Sequence, residues 1–313
     1  MKSNDSHRIR WVQGDWTDDS DQMILILQTL LERDGQFDKM LFANKMLTWC
    51  RKGFPELGDS GGMGRGMTTV KVLEHPDYLT DPHQAAHDIW VKSGYFVAPN
   101  GGVMRTSILG TMQYHDLPKV IENTKNACKV THADPRCVAS CVAVTMAIAL
   151  TLQGKYKMKS GEYDVDEITK EAHATAEQEL EKNEHKKELH AYMFEKNVQN
   201  LKLGESIGYT FKCLGAGFWA FKQKNFRTAI QELTMEVKYL MNYITVFLIN
   251  SIKLEVHYYV LLSRLVMQTR TVQLQEPYLA VKLDITNCLN LGSVVWHIAI
   301  GWTHILTGSV KNV

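Results

Sequence analysis

The sequence predicts an all-α fold in which many helices pack into one compact domain of 313 residues. Apolar residues recur at intervals of three and four through most of the chain up to residue 152, which is the period of an amphipathic helix. The strict alternation expected of half-buried strands is scarce in the same region. A chain of this length can bury a large core without a second domain, so a single helical domain is the simplest interpretation.

The first helices are predicted from apolar spacing and from the residues that end it. Residues 21–32 carry Met23, Leu27 and Leu30 on one face, and Asp34-Gly35 ends the run. Residues 37–52 repeat the pattern, and the glycines in residues 53–65 then predict a loop. A short helix is predicted over residues 68–75.

The later helices are predicted from their starts as well as their periodicity. Asp81-Pro82 is typical of a capping residue followed by proline in the first turn of a helix. Residues 117–129 form a further predicted helix, and so do residues 135–152. The last of these is almost wholly apolar, which predicts burial on every side.

Composition excludes several classes of function. Lys and Arg number 35 against 34 Asp and Glu, so the formal charge of +1 predicts no nucleic-acid partner. The six cysteines have no C-x-x-C spacing and are predicted to be reduced thiols. The apolar runs at residues 239–250 and 256–267 are too short for a membrane span, and the polar N-terminal residues argue against a secretory signal. We expect a cytoplasmic monomer.

Oxygen-bearing side chains cluster directly before the first helix. Thr17, Asp18 and Asp19 are followed by Ser20 and Asp21, and three carboxylates so close together repel one another unless a positive charge compensates. A divalent cation with oxygen ligands would compensate most strongly. A helix cap is the alternative, in which Thr17 or Asp18 accepts a backbone N–H.

Two loops carry further candidate residues. In the first, Asn100, Gly101, Gly102 and Arg105 could let a backbone approach a phosphate or hydroxyl group, although a tight connection is the simpler interpretation. In the second, residues 131–135 precede the apolar helix, whose free N–H groups favour an anion. A cap formed by Asp134, with Pro135 in the first turn, is the alternative there.

The order and spacing of these three motifs resemble the ADP-ribosylglycohydrolase family. The resemblance runs over residues 14–152 and 201–236 and returns weakly at residues 283–311. It implies a compact helical fold with a central cleft that holds two Mg²⁺ or Mn²⁺ ions. It also implies hydrolysis of the glycosidic bond between ADP-ribose and a protein side chain or small acceptor.

The resemblance assigns the candidate residues to three roles. It makes Thr17, Asp18, Asp19, Asp284 and Thr286 metal ligands, and either Asp18 or Asp19 the catalytic base. It makes Asn100, Gly101, Gly102, Met104, Arg105 and His132 the residues that bind ADP-ribose. In the family chemistry that this implies, the ions orient the ribose and lower the pKa of a water that attacks the anomeric carbon.

The sequence departs from the family pattern on both sides of the matched regions. The sixteen residues before Thr17 lack the Gly-rich acidic helix of the family. The closing Gly-Gly-Asp-x-Asp-Thr motif is reduced to residues 283–288, after an apolar insertion over residues 237–281. A second insertion, charged and helical, is predicted over residues 154–200. The alternative interpretation of its histidines is a metal site. Two other hypotheses are therefore an inactive ADP-ribose-binding protein and a nonfunctional fragment of the family.

Overall fold

The computed structural model describes residues 17–206 and 208–236, which all belong to one compact unit. No strand occurs among these residues. Two isolated antiparallel bridges occur, one between Pro99 and Tyr209 and one between Lys157 and Tyr163. The all-α prediction is confirmed. The helices are α1 (Asp18–Glu32), α2 (Lys39–Lys52), α3 (Met67–Leu73), α4 (Pro82–Lys92), α5 (Val103–Thr106), α6 (Leu109–Met112), α7 (Leu117–Lys129), α8 (Pro135–Gln153), α9 (Val165–Glu177), α10 (Asn183–Met193), α11 (Thr210–Lys222) and α12 (Phe226–Glu236).

The predicted helix starts are confirmed where an aspartate precedes a proline. Asp81 accepts the backbone N–H groups of His83 and Gln84 and begins α4. Asp134 accepts the N–H of Arg136 and begins α8. Each carboxylate satisfies donors that a helix N-terminus would otherwise leave free.

Helix α8 is the central element of the described fold. It packs against α5, α6, α7, α9 and α11. By length and composition α8 alone among the described helices could cross a membrane, but 94% of its apolar window is buried within the protein. Burial on every side is what its sequence predicts, and it identifies α8 as a core helix.

The apolar core has two parts, one on each side of the candidate loops. One part surrounds α8 and includes Phe211 and Phe218 from α11. The other surrounds α1 and α2 and includes Phe42, Met46 and Trp49, which are buried residues of α2. The predicted loop at residues 98–105 lies between them, and its last residues form the short helix α5 instead of continuing as a loop.

The predicted insertion over residues 154–200 contains α9 and α10. Ile168 and Ala172 of α9 and Leu189 of α10 are buried against α8 and α11, so both helices contribute to the core. No group of three or more His, Cys, Asp or Glu side chains among the described residues could hold a metal, so the histidine-rich site is not present there. The apolar insertion at residues 237–281 lies outside the described residues.

Candidate functional site

The N-terminus of α1 places two buried carboxylates side by side. Asp18 is 5% exposed and Asp19 is 3% exposed, although both belong to the first turn of a helix. Thr17 occupies the cap position, but its side chain accepts no backbone N–H; instead its Oγ1 donates to Asp19 Oδ2 at 2.7 Å. The prediction that Thr17 or Asp18 caps the helix through its side chain is therefore wrong for Thr17.

The two carboxylates lack enough positive charge nearby. Burial, together with the charges of Asp19 and Asp21, raises the pKa of Asp18 to about 8. Burial also raises the pKa of Asp19, whose Oδ1 has no hydrogen-bond partner among the described residues. A buried carboxylate oxygen without a partner is costly, and a cation would remove that cost.

These residues fit a hard divalent cation as part of a ligand set. Thr17, Asp18 and Asp19 offer the oxygen donors that Mg²⁺ and Mn²⁺ prefer. The unpartnered Oδ1 of Asp19 is the structural observation that favours an ion. Further ligands would have to come from elsewhere, and the predicted ligands Asp284 and Thr286 lie outside the described residues.

Arg105 connects α1 to the second loop. Its guanidinium is fully buried and donates from Nη1 to Gln22 Oε1 at 2.8 Å and from Nη2 to Thr131 Oγ1 at 2.7 Å. Nη2 also donates to the carbonyl of Ala127 at 3.1 Å. Arg105 therefore connects α1 to the loop before α8 through buried hydrogen bonds, and it has no exposed surface that a ligand could contact.

His132 ends a hydrogen-bonded chain that begins at Asp18. Gln22 Nε2 donates to Asp18 Oδ2 at 3.3 Å, and Arg105 bridges Gln22 to Thr131. Thr131 Oγ1 then lies 2.7 Å from His132 Nδ1. The Thr131 hydroxyl accepts a hydrogen bond from Arg105, so we assign the hydroxyl proton to the bond with His132 Nδ1. Nδ1 is then the acceptor, and Nε2 of the neutral imidazole carries the N–H.

Burial, with a smaller contribution from Arg105, lowers the pKa of His132 well below its usual value. The imidazole is therefore neutral near pH 7, as the assigned tautomer requires.

The two glycines of the first loop allow the backbone to lie against His132. A Cβ on Gly101 would lie 2.7 Å from His132 Cε1 and 2.8 Å from Nε2. A Cβ on Gly102 would lie 2.9 Å from Cys128 Sγ. Side chains at either position would displace these neighbours, so the glycines are needed for close packing.

The first loop is anchored by backbone bonds to the start of α11. Asn100 N donates to the Gly208 carbonyl at 2.8 Å, and Thr210 N donates to the Ala98 carbonyl at 3.0 Å. Asn100 Nδ2 is buried without a hydrogen-bond partner among the described residues, so it is a donor that a ligand could use. Met104 is 6% exposed, and its backbone N donates to the Asn100 carbonyl.

A pocket of about 250 Å³ opens beside His132. Its walls come from α3, α4, the first loop and the loop before α8, and the lining residues include Lys71, Trp90, Pro99 and Asp134. This places His132 at the boundary between the buried hydrogen-bonded chain and a cavity of the size of a small-molecule fragment.

Sequence reasoning missed the residues that shape this pocket. Arg136 binds both oxygens of Asp134, with Nε at 2.9 Å and Nη2 at 2.7 Å, and Nη2 also donates to the Phe96 carbonyl at 2.9 Å. Trp90 Nε1 donates to Asp134 Oδ2 at 2.9 Å. Asp134 thus acts as the predicted cap and also connects α4 to α8. The second role could not be predicted, because the Asp-Pro pattern indicates only a helix cap.

Comparisons with known proteins agree with this architecture. The chain matches the family model of the ADP-ribosylglycohydrolases over residues 2–236. An uncharacterized protein of Archaeoglobus fulgidus is 26% identical over 136 residues, which is 44% of this chain and 39% of that protein. A solved structure of an ADP-ribosylglycohydrolase-related protein complex has a TM-score of 0.56 and 20% identity, covering 79% of this chain and 73% of the solved chain.

The family match covers most of the chain, and the solved structure shares its fold. The chain therefore belongs to the ADP-ribosylglycohydrolase family, as its three motifs predict. The match includes residues 2–16, which lie outside the described residues, and it does not include the weak resemblance at residues 283–311. The match to the Archaeoglobus protein spans about two fifths of that relative's length.

Proposed function

We propose that this protein is a metal-dependent hydrolase that cleaves the glycosidic bond between ADP-ribose and a protein side chain or small acceptor. Membership of the family supports the general reaction. The hydrogen-bonded chain from Asp18 through Gln22, Arg105 and Thr131 to His132 carries the proposal for this particular chain. It connects the carboxylate pair, the glycine loop and the histidine, which are the three motifs that the reaction would need.

In this proposal the carboxylates hold the cation and the loops hold the substrate. Thr17, Asp18 and Asp19 would bind Mg²⁺ or Mn²⁺, which would supply positive charge to orient ribose hydroxyls and to lower the pKa of a coordinated water. Either Asp18 or Asp19 would accept a proton, because each is a buried carboxylate within one turn of the other.

The substrate's phosphates would meet donors from both loops. His132 Nε2–H and Asn100 Nδ2 are donors, and the backbone at Gly101 has no side chain that would keep a phosphate oxygen away. Met104 and Arg105 would act behind this surface, since both are buried. The predicted contacts of Arg105 with ADP-ribose would then be indirect.

A second candidate function is binding of ADP-ribose without cleavage. One observation favours it: Asn100 Nδ2, a buried donor without a hydrogen-bond partner among the described residues, could bind a phosphate without any contribution from the carboxylate pair. The carboxylate pair alone would bind an ion weakly, because hard divalent cations take six or more oxygen ligands. The cytoplasmic location and the monomeric state stay predictions in either case.

Calorimetric titration with ADP-ribose, with and without Mg²⁺, followed by a turnover assay on ADP-ribosylated protein, tests both candidates. The proposed hydrolase binds ADP-ribose with or without the cation, but it releases ADP-ribose from the modified protein only when Mg²⁺ or Mn²⁺ is present. Asp19→Asn should remove turnover, and the second candidate predicts binding with no release under any condition. Turnover in EDTA, or full turnover by Asp19→Asn, would rule out the metal-dependent proposal.

A further inference from the structure

Two cysteines lie side by side directly beneath the glycine loop. Cys128 belongs to α7 and Cys141 to α8, and neither has exposed surface. Their thiols share a hydrogen bond. A Cβ on Gly102 would lie 2.9 Å from Cys128 Sγ and 3.3 Å from Cys141 Sγ, so both sulfur atoms lie close to the same side of Gly102 and to each other.

The surroundings make the two thiols unequal. Burial raises the pKa of Cys141, but the hydrogen bond with Cys128 and the charge of Arg105 outweigh it, so the net pKa is lowered. The pKa of Cys128 is raised well above its usual value, first by that same hydrogen bond and then by burial. A pair with one thiol inclined to ionise and the other held protonated is typical of cysteines that react with each other.

A small oxidant has a short route to this pair. Cys137 and His132 line the pocket of about 250 Å³, and Cys137 precedes Cys141 by one helical turn on α8. Cys128 Sγ lies 3.5 Å from the His132 carbonyl, which belongs to the same pocket wall. One helical turn of α8 therefore separates a cysteine that lines the pocket from Cys141, and local opening of the loop would give a small oxidant access to the pair.

We propose that Cys128 and Cys141 are an oxidation site that reacts with peroxides and closes to an intramolecular disulfide. The Cys141 thiolate attacks one oxygen of hydrogen peroxide and the O–O bond breaks. The Cys141 sulfur becomes a sulfenic acid, and the other oxygen leaves as hydroxide, which takes up the proton lost by the thiol and becomes water. The Cys128 sulfur then attacks that sulfenic acid, forms the S–S bond and releases a second water. The sum is two thiols and one hydrogen peroxide giving one disulfide and two waters.

The disulfide also changes the glycine loop, and its effect on ADP-ribose binding rests on the proposed function. A disulfide brings the sulfurs to about 2 Å, closer than two hydrogen-bonded thiols. Both sulfurs then shift beneath Gly102. Because Gly102 lies against these sulfurs and Gly101 lies against His132, we expect the loop and His132 to move as well, and the affinity for ADP-ribose to fall.

Peptide mapping of the full chain tests the chemistry without any ligand. The protein is treated with hydrogen peroxide, its remaining thiols are alkylated, and it is digested without reductant for mass spectrometry. The expected product is a peptide pair that joins Cys128 to Cys141 and separates on reduction. Cys141→Ser should abolish the pair, whereas Cys50→Ser, which removes a thiol in α2, should leave it in place.

Calorimetry on the same samples tests the consequence. We expect oxidised protein to bind ADP-ribose about tenfold more weakly or worse, with recovery in dithiothreitol. A map with all thiols free, or with Cys128 joined to a different cysteine, would overturn the oxidation site. A correct disulfide with unchanged affinity would overturn its effect on the loop, and failure of reduced protein to bind ADP-ribose would count against the proposed function alone.

Discussion

Asp19 is a residue whose burial works against the stability of the fold. Its Oδ1 has no partner among the described residues, and burial raises its pKa. Asn is nearly the same size and carries no charge. We therefore expect Asp19→Asn, measured in EDTA, to increase the free energy of unfolding by about 1 kcal/mol or more while abolishing turnover. Denaturant melts with and without metal check this prediction.

Asp134→Asn is the matched control, because the same substitution should have the opposite sign there. Asp134 accepts two hydrogen bonds from the Arg136 guanidinium, one from the Arg136 backbone N–H and one from Trp90, so its negative charge is compensated. Loss of the charge should cost about 1–3 kcal/mol. If both variants were destabilised equally, the carboxylate at position 19 would not be the strained group that its surroundings indicate.

His132 should make stability depend on pH. Its pKa is lowered in the folded state, chiefly by burial, so below about pH 6.5 the unfolded chain binds a proton that the fold excludes. Stability from this group is complete above that pH and is lost as the pH falls. Between pH 7.5 and 5.5 the expected loss is about 1 kcal/mol.

His132→Asn isolates this contribution from that of the other histidines. The variant cannot gain the proton, so its free energy of unfolding should fall less over the same pH range than that of the wild-type protein. Chemical denaturation at the two pH values measures the difference. Parallel pH profiles would show that His132 is not held neutral by the fold.

At the scale of elements, the close packing of α6 on α8 makes a specific prediction. A Cβ on Gly110 would lie 2.7 Å from the Thr145 carbonyl and 2.8 Å from Ile148 Cβ, and neither atom can rotate away. Gly110→Ala should therefore force the helices apart and cost about 1–3 kcal/mol. Gly208→Ala is the control, since a Cβ there meets nothing within 4 Å. Thermal melts should show a lowered melting midpoint for Gly110→Ala and an almost unchanged one for Gly208→Ala.

The helices that the sequence predicts well are those whose ends have local causes. Asp81 and Asp134 each accept N–H groups of the first turn and each precede a proline, so α4 and α8 begin where local chemistry requires. Helix α5 has no such signal. It follows two glycines and exists because Val103 and Arg105 are buried between the two parts of the core, which is a tertiary effect.

The arrangement of the site depends on contacts between distant segments. Arg105 reaches Gln22, which lies 83 positions earlier, and Thr131, which lies 26 positions later. Read separately, the motifs at residues 17–21 and 131–135 indicate helix caps, and only their order in one helical chain indicates a shared site. Their spacing predicted the family, but no local pattern predicted that Arg105 would be buried or that Cys128 and Cys141 would meet beneath Gly102.

Ligand binding should increase the stability of the whole molecule, because a ligand that binds only the folded state raises the free energy of unfolding. At a concentration one hundred times its dissociation constant, the gain is about 2.7 kcal/mol, which raises the melting midpoint by several degrees. If Thr17, Asp18 and Asp19 contribute to one ion site, Mg²⁺ should raise the midpoint of the wild-type protein and leave that of Asp19→Asn unchanged.

ADP-ribose should raise the melting midpoint of both proteins, because its predicted contacts at Asn100, Gly101 and His132 do not include Asp19. The effects of Mg²⁺ and ADP-ribose together should exceed the sum of the two measured separately in wild type, since an ion beside the ribose favours both ligands. Purely additive shifts would mean that the carboxylate pair and the glycine loop bind independently. The buried chain through Arg105 would then connect them structurally without coupling their ligands.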